Sequence, residues 1–502
     1  MESFERGIFR IKNRDKNLTN VKGEGARQSR GTDELRAGTG AGRGRGILRV
    51  GFFILFLLLN YLNLKSSDMK SHKCCLGVKF FEKLNERIWS LLLFTLGCMT
   101  LFEVDVAAAE KRYVGGDISL LPAYEEAGAK YFDHDGKPIA DLIPFLGEEG
   151  MNAMRVRVFV NPDDYSEADA DSNACQTIEN VLPLCRRIKG SGMALMIDFH
   201  YSDTWADPAQ QYTPKQWATM NDEELCEEIY RYTRESLLVL KEAGVAPDFI
   251  QPGNEISYGM LWGPVGTPES EQKKTFMGSD ANWERLGNLL RNAIKGCREV
   301  CPNAGIILHT ERTADVEVQD NFYSRMKDMK IDYDIIGLSY YPYFHGPLTS
   351  LEKAIESLES KFGEKEIMVV ETGYSYKWEV PGTSQPVDYP YSEEGQNQFA
   401  QDLVDMLLKH DRVDGLFWWW LEYNAYGTTL SGWYNAPLFD SSTGKALEAL
   451  KTICSFATGA GGVESIENEK GEERTLFDLS GKKVEHPSPG FYITSKGGKV
   501  IR

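Results

Sequence analysis

The feature that most constrains the fold is a repeated alternation, from Val114 onward, of short apolar runs with longer amphipathic segments. Such alternation is typical of β/α units, in which helices connect parallel strands. The apolar runs predict eight strands, at residues 114–119, 152–159, 194–201, 248–255, 305–310, 333–341, 366–374 and 413–420. Apolar spacings of three and four predict helices at residues 180–188, 223–243, 283–300, 351–362 and 395–410. We therefore expect an α/β fold, a (β/α)8 TIM barrel.

The segments that flank the predicted barrel have a different composition. Residues 1–50 are rich in Arg and Gly and have almost no apolar periodicity, so we expect residues 1–68 to be a disordered basic segment and take Met69 as the true start. After residues 110–456, which form the predicted catalytic domain, the Gly-rich run at 457–462 predicts a linker. Short β-prone pieces separated by turns follow to residue 502, and they predict a small C-terminal β tail.

Residues 69–109 are typical of a signal peptide, because a basic region precedes the apolar stretch 88–102 and small residues end at Ala109. Cleavage after Ala109 predicts a protein that is secreted, periplasmic or held at the cell surface. Leu96-Gly97-Cys98 also resembles the end of a lipoprotein signal, which would attach a lipid to Cys98. Both alternatives remain open, and we expect contact with a membrane only in the lipidated form.

The net charge of -18 disfavours binding of nucleic acid and is compatible with a neutral ligand such as a polysaccharide. Six cysteines follow the predicted signal peptide, without a CxxC pair or a histidine cluster of the kind that binds metal. We expect these cysteines to be buried free thiols or to form an incidental bridge, and we expect a monomer without a cofactor or a metal.

Two glutamates, Glu255 and Glu371, end predicted strands four and seven. In a closed barrel the carboxyl ends of the strands surround the active site, so these side chains are expected to face each other. Retaining glycosidases need two carboxyl groups about 5 to 5.5 Å apart, one as acid/base and one as nucleophile. A lone glutamate at a strand end is more often a cap or an ion-pair partner. The pair, with Asn254 directly before Glu255, favours catalysis.

Several sequence blocks occur in an order that chance does not explain, at residues 116–119, 151–162, 198–208, 253–256 with 259–262, 337–342 and 371–374. Together they resemble glycoside hydrolase family 53, the arabinogalactan endo-β-1,4-galactanases, over residues 114–450. The resemblance implies a TIM barrel, hydrolysis with retention of configuration, and β-1,4-galactan side chains of pectin as the substrate. It also implies Glu255 as the acid/base and Glu371 as the nucleophile.

The same resemblance implies a set of substrate-binding residues. Arg155 is expected to contact Glu371 and to keep it ionised, because a nearby cation lowers the pKa of a carboxyl group. We expect one or two of Trp205, Trp262 and Trp378 to stack on sugar rings. The full predicted binding set is Arg155, His200, Asp203, Trp205, Asn254, Trp262, Ser339, Tyr340 and Trp419.

The sequence departs from this family pattern in the loop at residues 376–385. Some bacterial members bind calcium there through Asp, His and Asn, whereas this loop has no comparable cluster of oxygen ligands. This departure supports the expectation that no metal is required. Two rival functions remain: a mannanase or glucanase of the same clan, and a non-catalytic glycan-binding barrel.

Overall fold

The computed structural model describes residues 111–164, 173–277, 280–380, 383, 385–424 and 436–459, together with four short strands beyond residue 475. The predicted disordered segment 1–68 and the signal peptide 69–109, including Cys98, lie outside these residues. Within the described residues, no helix is long and apolar enough to cross a membrane. The six cysteines after the predicted signal peptide are all unbridged.

Eight parallel strands close into one barrel in sequential order, with β8 paired to β1. This confirms the predicted strand number and order. The strands are β1 Tyr113–Asp117, β2 Ala153–Val158, β3 Ala194–Phe199, β4 Phe249–Pro252, β5 Gly305–Thr310, β6 Ile335–Tyr340, β7 Glu366–Thr372 and β8 Val413–Trp418.

Helices connect the strands and cover the outside of the barrel, and the five predicted helices are all present with ends shifted by a few residues. The longer helices that the sequence analysis missed are Leu142–Glu149 and Val316–Asp328. The described helices are Leu121–Glu126, Leu142–Glu149, Ile178–Gly190, Asp222–Glu242, Asp280–Val300, Val316–Asp328, Pro342–His345, Leu348–Phe362, Glu393–Leu407 and Glu448–Cys454.

The inside of the barrel changes from apolar to polar along the strands. Alternate residues of a strand point to the same face, so one set of positions lines the interior. Near the amino ends an apolar cluster fills it, formed by Ala153, Ala194, Met196, Phe249, Ile307, Ile335, Met368, Val370 and Phe417. Two residues further along several strands, the buried side chains are Arg155, Asp198, Gln251 and His309. The polar groups therefore gather at the carboxyl ends.

The pairing between β6 and β7 contains an irregularity that affects the predicted nucleophile. Leu338 pairs with Val369, but the next residue, Ser339, pairs with Glu371, so Val370 is the extra residue on β7. A bulge of this kind changes the direction of the side chains that follow it. Glu371 thereby points into the barrel, whereas strict alternation after Met368 and Val370 would point it outward.

Residues beyond 475 contain β9 Leu476–Phe477, β10 Lys483–Val484, β11 Phe491–Thr494 and β12 Lys499–Ile501. They form a four-stranded antiparallel sheet in the order β10-β9-β11-β12. This sheet lies where the sequence predicts the C-terminal β tail.

Candidate active site

A cavity of about 840 Å³ opens at the carboxyl ends of the barrel strands, and both predicted catalytic glutamates line it. Its size is within the range of small-molecule and oligosaccharide sites, about 300 to 1,000 Å³. The lining residues are Asn173, Trp205, Ala206, Asp207, Pro208, Asn254, Glu255, Glu311, Arg312, Ala314, Asp315, Tyr341, Phe344, His345, Glu371, Trp419 and Trp420.

A tight turn after β4 places Glu255 in this cavity. The strand ends at Pro252, and Gly253 follows with φ of 107°, a conformation that favours glycine. Glu255 itself has φ of 48°, and the short 3-10 helix Ile256–Tyr258 begins directly after it. A non-glycine residue held in the left-handed region costs about 1 to 3 kcal/mol, and such strain is common at active sites.

Glu255 is held by a chain of two hydrogen bonds. The Ser339 hydroxyl donates to Oε1 of Glu255 at 2.6 Å, and Nε2 of His309 lies 2.8 Å from the Ser339 oxygen. Two donors approach Nδ1 of His309, the backbone N–H of Glu255 at 3.3 Å and the amide nitrogen of Gln251 at 3.0 Å, so we assign the ring proton to Nε2, which then donates to Ser339. Burial lowers the pKa of His309 well below its usual range, so the ring is neutral.

Burial, followed by the nearby charges of Glu371 and Glu311, raises the pKa of Glu255 well above its usual value. Glu255 forms no ion pair within the described part of the chain. A carboxyl group in these surroundings keeps its proton at neutral pH and can act as an acid.

Glu371 has a different environment, because a cation and a phenol contact it. Nη2 of Arg155 lies 2.8 Å from Oε1, and the Tyr341 hydroxyl donates to Oε2 at 3.1 Å. Burial raises the pKa of Glu371 to about 7, while Arg155 acts to lower it. The expected contact is therefore present, although burial outweighs the effect of the cation. Glu371 loses its proton more easily than Glu255.

Arg155 is fully buried and organises the site through a network. Nη1 lies 3.2 Å from Asp117, and Nη2 donates to Asp198 at 2.8 Å and to Oδ1 of Asn254 at 2.9 Å. The amide nitrogen of Asn254 donates to the backbone carbonyl of Ala206 at 2.8 Å. These contacts fix the Asn254 side chain at the edge of the cavity, directly before Glu255.

One wall of the cavity is aromatic. The rings of Trp205 and Trp419 are 6.1 Å apart, and the Arg157 guanidinium lies 4.8 to 5.2 Å from the rings of Trp205, Trp419 and Trp420. Indole faces of this kind bind the apolar faces of sugar rings. Trp378, the third predicted stacking residue of the loops, is 43% exposed and does not line the cavity.

His200 supports the wall without lining the cavity. Its Nδ1 accepts from the backbone N–H of Ala206 at 3.1 Å, and its Nε2 lies 3.0 Å from Asp198. The ring also packs edge-on against Trp205 at 5.9 Å. Through these contacts, His200 orients the loop that carries Trp205.

Tyr340 requires a correction, because the structure does not bring it to the cavity. Its ring packs against Phe399 outside the barrel, and its hydroxyl donates to the backbone carbonyl of Gly346. Tyr341, the next residue, lines the cavity instead and contacts the nucleophile candidate. Successive residues of a strand point to opposite faces, which excludes Tyr340 once Ser339 points inward.

Asp203 and Trp262 also lie away from the cavity. The Asp203 carboxylate accepts from the backbone N–H groups of Asn161 and Lys215, at 3.0 and 2.8 Å, and so holds two loops together. Trp262 is buried, and its indole N–H donates to the carbonyl of Tyr258. In the part of the chain that the structure describes, neither side chain lines the cavity, and the contacts given above are structural ones.

Three residues of the site, Tyr341, His309 and Glu311, are absent from the predicted catalytic and binding residues. Strict alternation would have identified them. On β5 the inward series runs from Ile307 through His309 to Glu311, and on β6 it continues from Ser339 to Tyr341.

Within the described residues, no group of three or more His, Cys, Asp or Glu side chains is arranged to hold a metal ion. Three residues in the loop 376–385, at positions 381, 382 and 384, lie outside the described part. The expectation that no metal is required therefore stays a prediction.

Comparison with known proteins gives a consistent result. Residues 113–453 match the family model described as glycosyl hydrolase family 53. A protein of Humicola insolens named arabinogalactan endo-beta-1,4-galactanase is 31% identical over 358 residues, which cover 68% of this chain and 98% of that protein.

Two solved structures are similar over the barrel. The GH53 catalytic domain of Ignisphaera aggregans has a TM-score of 0.60 and 31% identity, covering 70% of this chain and 97% of that one. A structure from a study of two fungal beta-1,4-galactanases has a TM-score of 0.57 and 28% identity, covering 68% of this chain and 99% of the other.

Proposed function

The chain belongs to glycosyl hydrolase family 53, and on that premise we propose that it hydrolyses β-1,4-galactan internally with retention of configuration. The family resemblance stated from the sequence blocks is thereby confirmed, and so is the assignment as a glycoside hydrolase. The observation that carries the proposal is a pair of glutamates in one cavity, Glu255 without a cation and Glu371 beside Arg155.

In the first step, Glu255 transfers its proton to the glycosidic oxygen while the ionised Glu371 attacks the anomeric carbon. The bond to the leaving sugar breaks, the leaving sugar gains a hydroxyl group, and a covalent glycosyl ester forms on Glu371. Glu255 can supply the proton because its pKa is raised. Arg155 and Tyr341 stabilise the Glu371 carboxylate that attacks.

In the second step, Glu255 is ionised and takes a proton from water, and the resulting hydroxide equivalent attacks the anomeric carbon. The ester to Glu371 breaks, so the product has the original configuration. The hydrogen bond from the Ser339 hydroxyl stabilises Glu255 in this ionised form. His309 is neutral and keeps the serine hydroxyl pointed at the carboxyl group.

The substrate proposal rests on family membership and on the names of similar proteins, since the fold alone does not determine the activity. Parallel assays on β-1,4-galactan, mannan and cellulose test it. We expect galactan to be shortened to oligosaccharides of retained configuration. Activity confined to mannan or cellulose would overturn the substrate assignment.

A matched pair of variants separates an enzyme from a non-catalytic glycan-binding protein. Glu371→Gln should bind galactan and no longer shorten it, whereas the exposed Glu317→Gln control should do both. If the unmodified chain bound galactan without ever producing new reducing ends, the binding function would be the correct one.

We also propose that the chain is exported, on the basis of the basic region, the apolar stretch 88–102 and Ala107-Ala108-Ala109. Deletion of residues 1–68 should leave export and galactanase activity intact, because the signal starts at Met69. Mass spectrometry of the exported protein should find an amino terminus after Ala109, and a lipid on Cys98 would instead indicate a membrane-anchored form. Retention of the shortened chain inside the cell would contradict the proposal.

We propose further that the exported protein acts as a monomer. Among the described residues, the exposed large apolar side chains are Val265, Phe276 and Trp378, and a stable oligomer interface generally needs a larger apolar patch. Light scattering coupled to size-exclusion chromatography should give the mass of one chain. A mass of two chains that persists on dilution would contradict this.

A further inference from the structure

A further carboxyl group, that of Glu311, lines the same cavity and has no part in the two steps above. Glu311 directly follows β5 and is 4% exposed. The Ser257 hydroxyl donates to its Oε2 at 2.8 Å. Within the described part of the chain, Oε1 has no hydrogen-bond partner.

Leaving a buried carboxyl oxygen without a partner is costly, so such an atom is usually satisfied by a ligand or by water. The adjacent cation does not neutralise Glu311, because the Arg312 guanidinium lies over the ring of Tyr258, 4.9 Å from its centroid. No ion pair among the described residues joins Arg312 to Glu311. Oε1 is therefore a buried acceptor without a hydrogen-bond partner among the described residues, on a side chain that lines the cavity.

The position of Glu311 relative to the two catalytic glutamates indicates which sugar it contacts. Its only hydrogen-bonded partner among the described side chains, Ser257, is two residues after Glu255. In the closed barrel, β3 and β4 lie between β5, which ends directly before Glu311, and β2, which carries Arg155, and Glu255 follows the end of β4. Glu311 thus lies on the side of Glu255 that is remote from Arg155.

The acid must contact the oxygen of the leaving group, so the departing sugar occupies the side of the cavity beyond Glu255. We propose that Glu311 is a substrate-binding residue for this leaving-group sugar, with Oε1 accepting a hydrogen bond from one of its hydroxyl groups. The inference rests on the proposed function and names a residue that positions the departing part of the galactan chain.

The test compares two reactions of the glycosyl-enzyme, hydrolysis by water and transfer to a sugar acceptor. The acceptor binds in the site that the leaving-group sugar has vacated, so transfer depends on that site. An aryl β-1,4-galactobioside forms the glycosyl-enzyme without a sugar on that side, and galactobiose is added as the acceptor. Chromatography measures the ratio of transfer product to hydrolysis product. The variants are Glu311→Gln, which keeps the side-chain volume, and Glu311→Ala, with the exposed Glu317→Gln as the matched control.

We expect the transfer ratio to fall about 10- to 100-fold in Glu311→Ala, the range for a lost hydrogen bond to a charged group. Glu311→Gln should show a smaller decrease, and Glu317→Gln should show none. Glu255 takes a proton from water and from a sugar acceptor alike. An indirect effect of Glu311 through Glu255 would therefore slow both reactions and leave their ratio unchanged.

A ratio within twofold of the unmodified enzyme in both Glu311 variants would overturn the inference. So would an unmodified enzyme that hydrolyses the glycosyl-enzyme but never transfers it to galactobiose. Failure of the unmodified chain to cleave galactan or to form a glycosyl-enzyme would instead contradict the proposed function, and the two failures are thus distinguishable.

Discussion

Replacement of Arg155 by lysine tests how the structure activates Glu371. The guanidinium makes four contacts, of 3.2 Å to Asp117, 2.8 Å to Asp198, 2.9 Å to Asn254 and 2.8 Å to Glu371. A single ammonium group cannot reproduce contacts that two guanidinium nitrogens make in different directions. If two of them are lost at about 1.5 kcal/mol each, kcat/KM should fall about 100-fold.

The pH profile should change in a defined direction. Galactan hydrolysis requires ionised Glu371, so kcat/KM of the unmodified enzyme should fall as the pH drops through the pKa of Glu371, about 7. Arg155 lowers that pKa, and a weaker cation contact raises it further. The acidic limb of the profile should therefore move to higher pH in Arg155→Lys.

The assay is the release of reducing ends from galactan over a pH series, with circular dichroism as a check on folding. Arg157→Lys is the matched control, because Arg157 lies two residues further on β2, is equally buried and also pairs with Asp117. This control should leave the acidic limb in place. An Arg155→Lys enzyme with an unchanged limb and kcat/KM within twofold of the unmodified enzyme would refute the reasoning.

Three further predictions concern other parts of the site and its surroundings. In Ser339→Ala, loss of the 2.6 Å hydrogen bond raises the pKa of Glu255, so the basic limb of the kcat/KM profile should move to higher pH; an unmoved limb would contradict the contact. Burial raises the pKa of Glu422 to about 8, so the folded state binds this proton more tightly than the unfolded state, and stability is lost as the pH rises through about 8. The Tm of Glu422→Gln should therefore decrease less than that of the unmodified enzyme between about pH 6 and 9, and equal decreases would be evidence against it. Trp419→Ala should raise KM for galactan because Trp419 lines the cavity, whereas Trp262→Phe should lower Tm and leave KM unchanged; the opposite pattern would reverse the two assignments.

The barrel was predictable because each strand is a short apolar run and each connecting segment has helical periodicity. The missed helix Val316–Asp328 has only a narrow apolar stripe, with Phe322, Tyr323 and Met326 as its buried apolar residues. Such a stripe is difficult to recognise in sequence, and contact with the barrel rather than intrinsic propensity stabilises this helix.

Within the site, the catalytic pair was predictable from strand ends and family motifs, but the direction of several side chains was not. Side chains alternate between the two faces of a strand, so Tyr341 shares the inward face with Ser339 and Tyr340 points outward. The same rule fails for Glu371, since the extra residue Val370 on β7 turns it inward. Pairing register depends on contacts between strands distant in sequence, so one chain read alone does not predict it.

Trp262 and Asp203 illustrate a second limit. Both lie in sequence blocks that resemble the family, yet the indole of Trp262 is buried and donates to the carbonyl of Tyr258, and the Asp203 carboxylate holds two loops together. A family motif contains residues that line the cavity and also residues that only hold the surrounding loops in place. The sequence does not distinguish these two groups, whereas the contacts in the structure do.

The stereochemistry of azide products from Glu371→Ala and Glu255→Ala tests the central claim, the separate roles of the two glutamates, most directly. With an aryl β-1,4-galactobioside as the donor, azide should replace the missing nucleophile in Glu371→Ala and give the inverted α-azide. In Glu255→Ala the glycosyl-enzyme should still form from this reactive donor, and azide should release it as the retained β-azide. Exchange of the two products would reverse the assignment, and full galactanase activity in both variants would show that the proposed site is wrong.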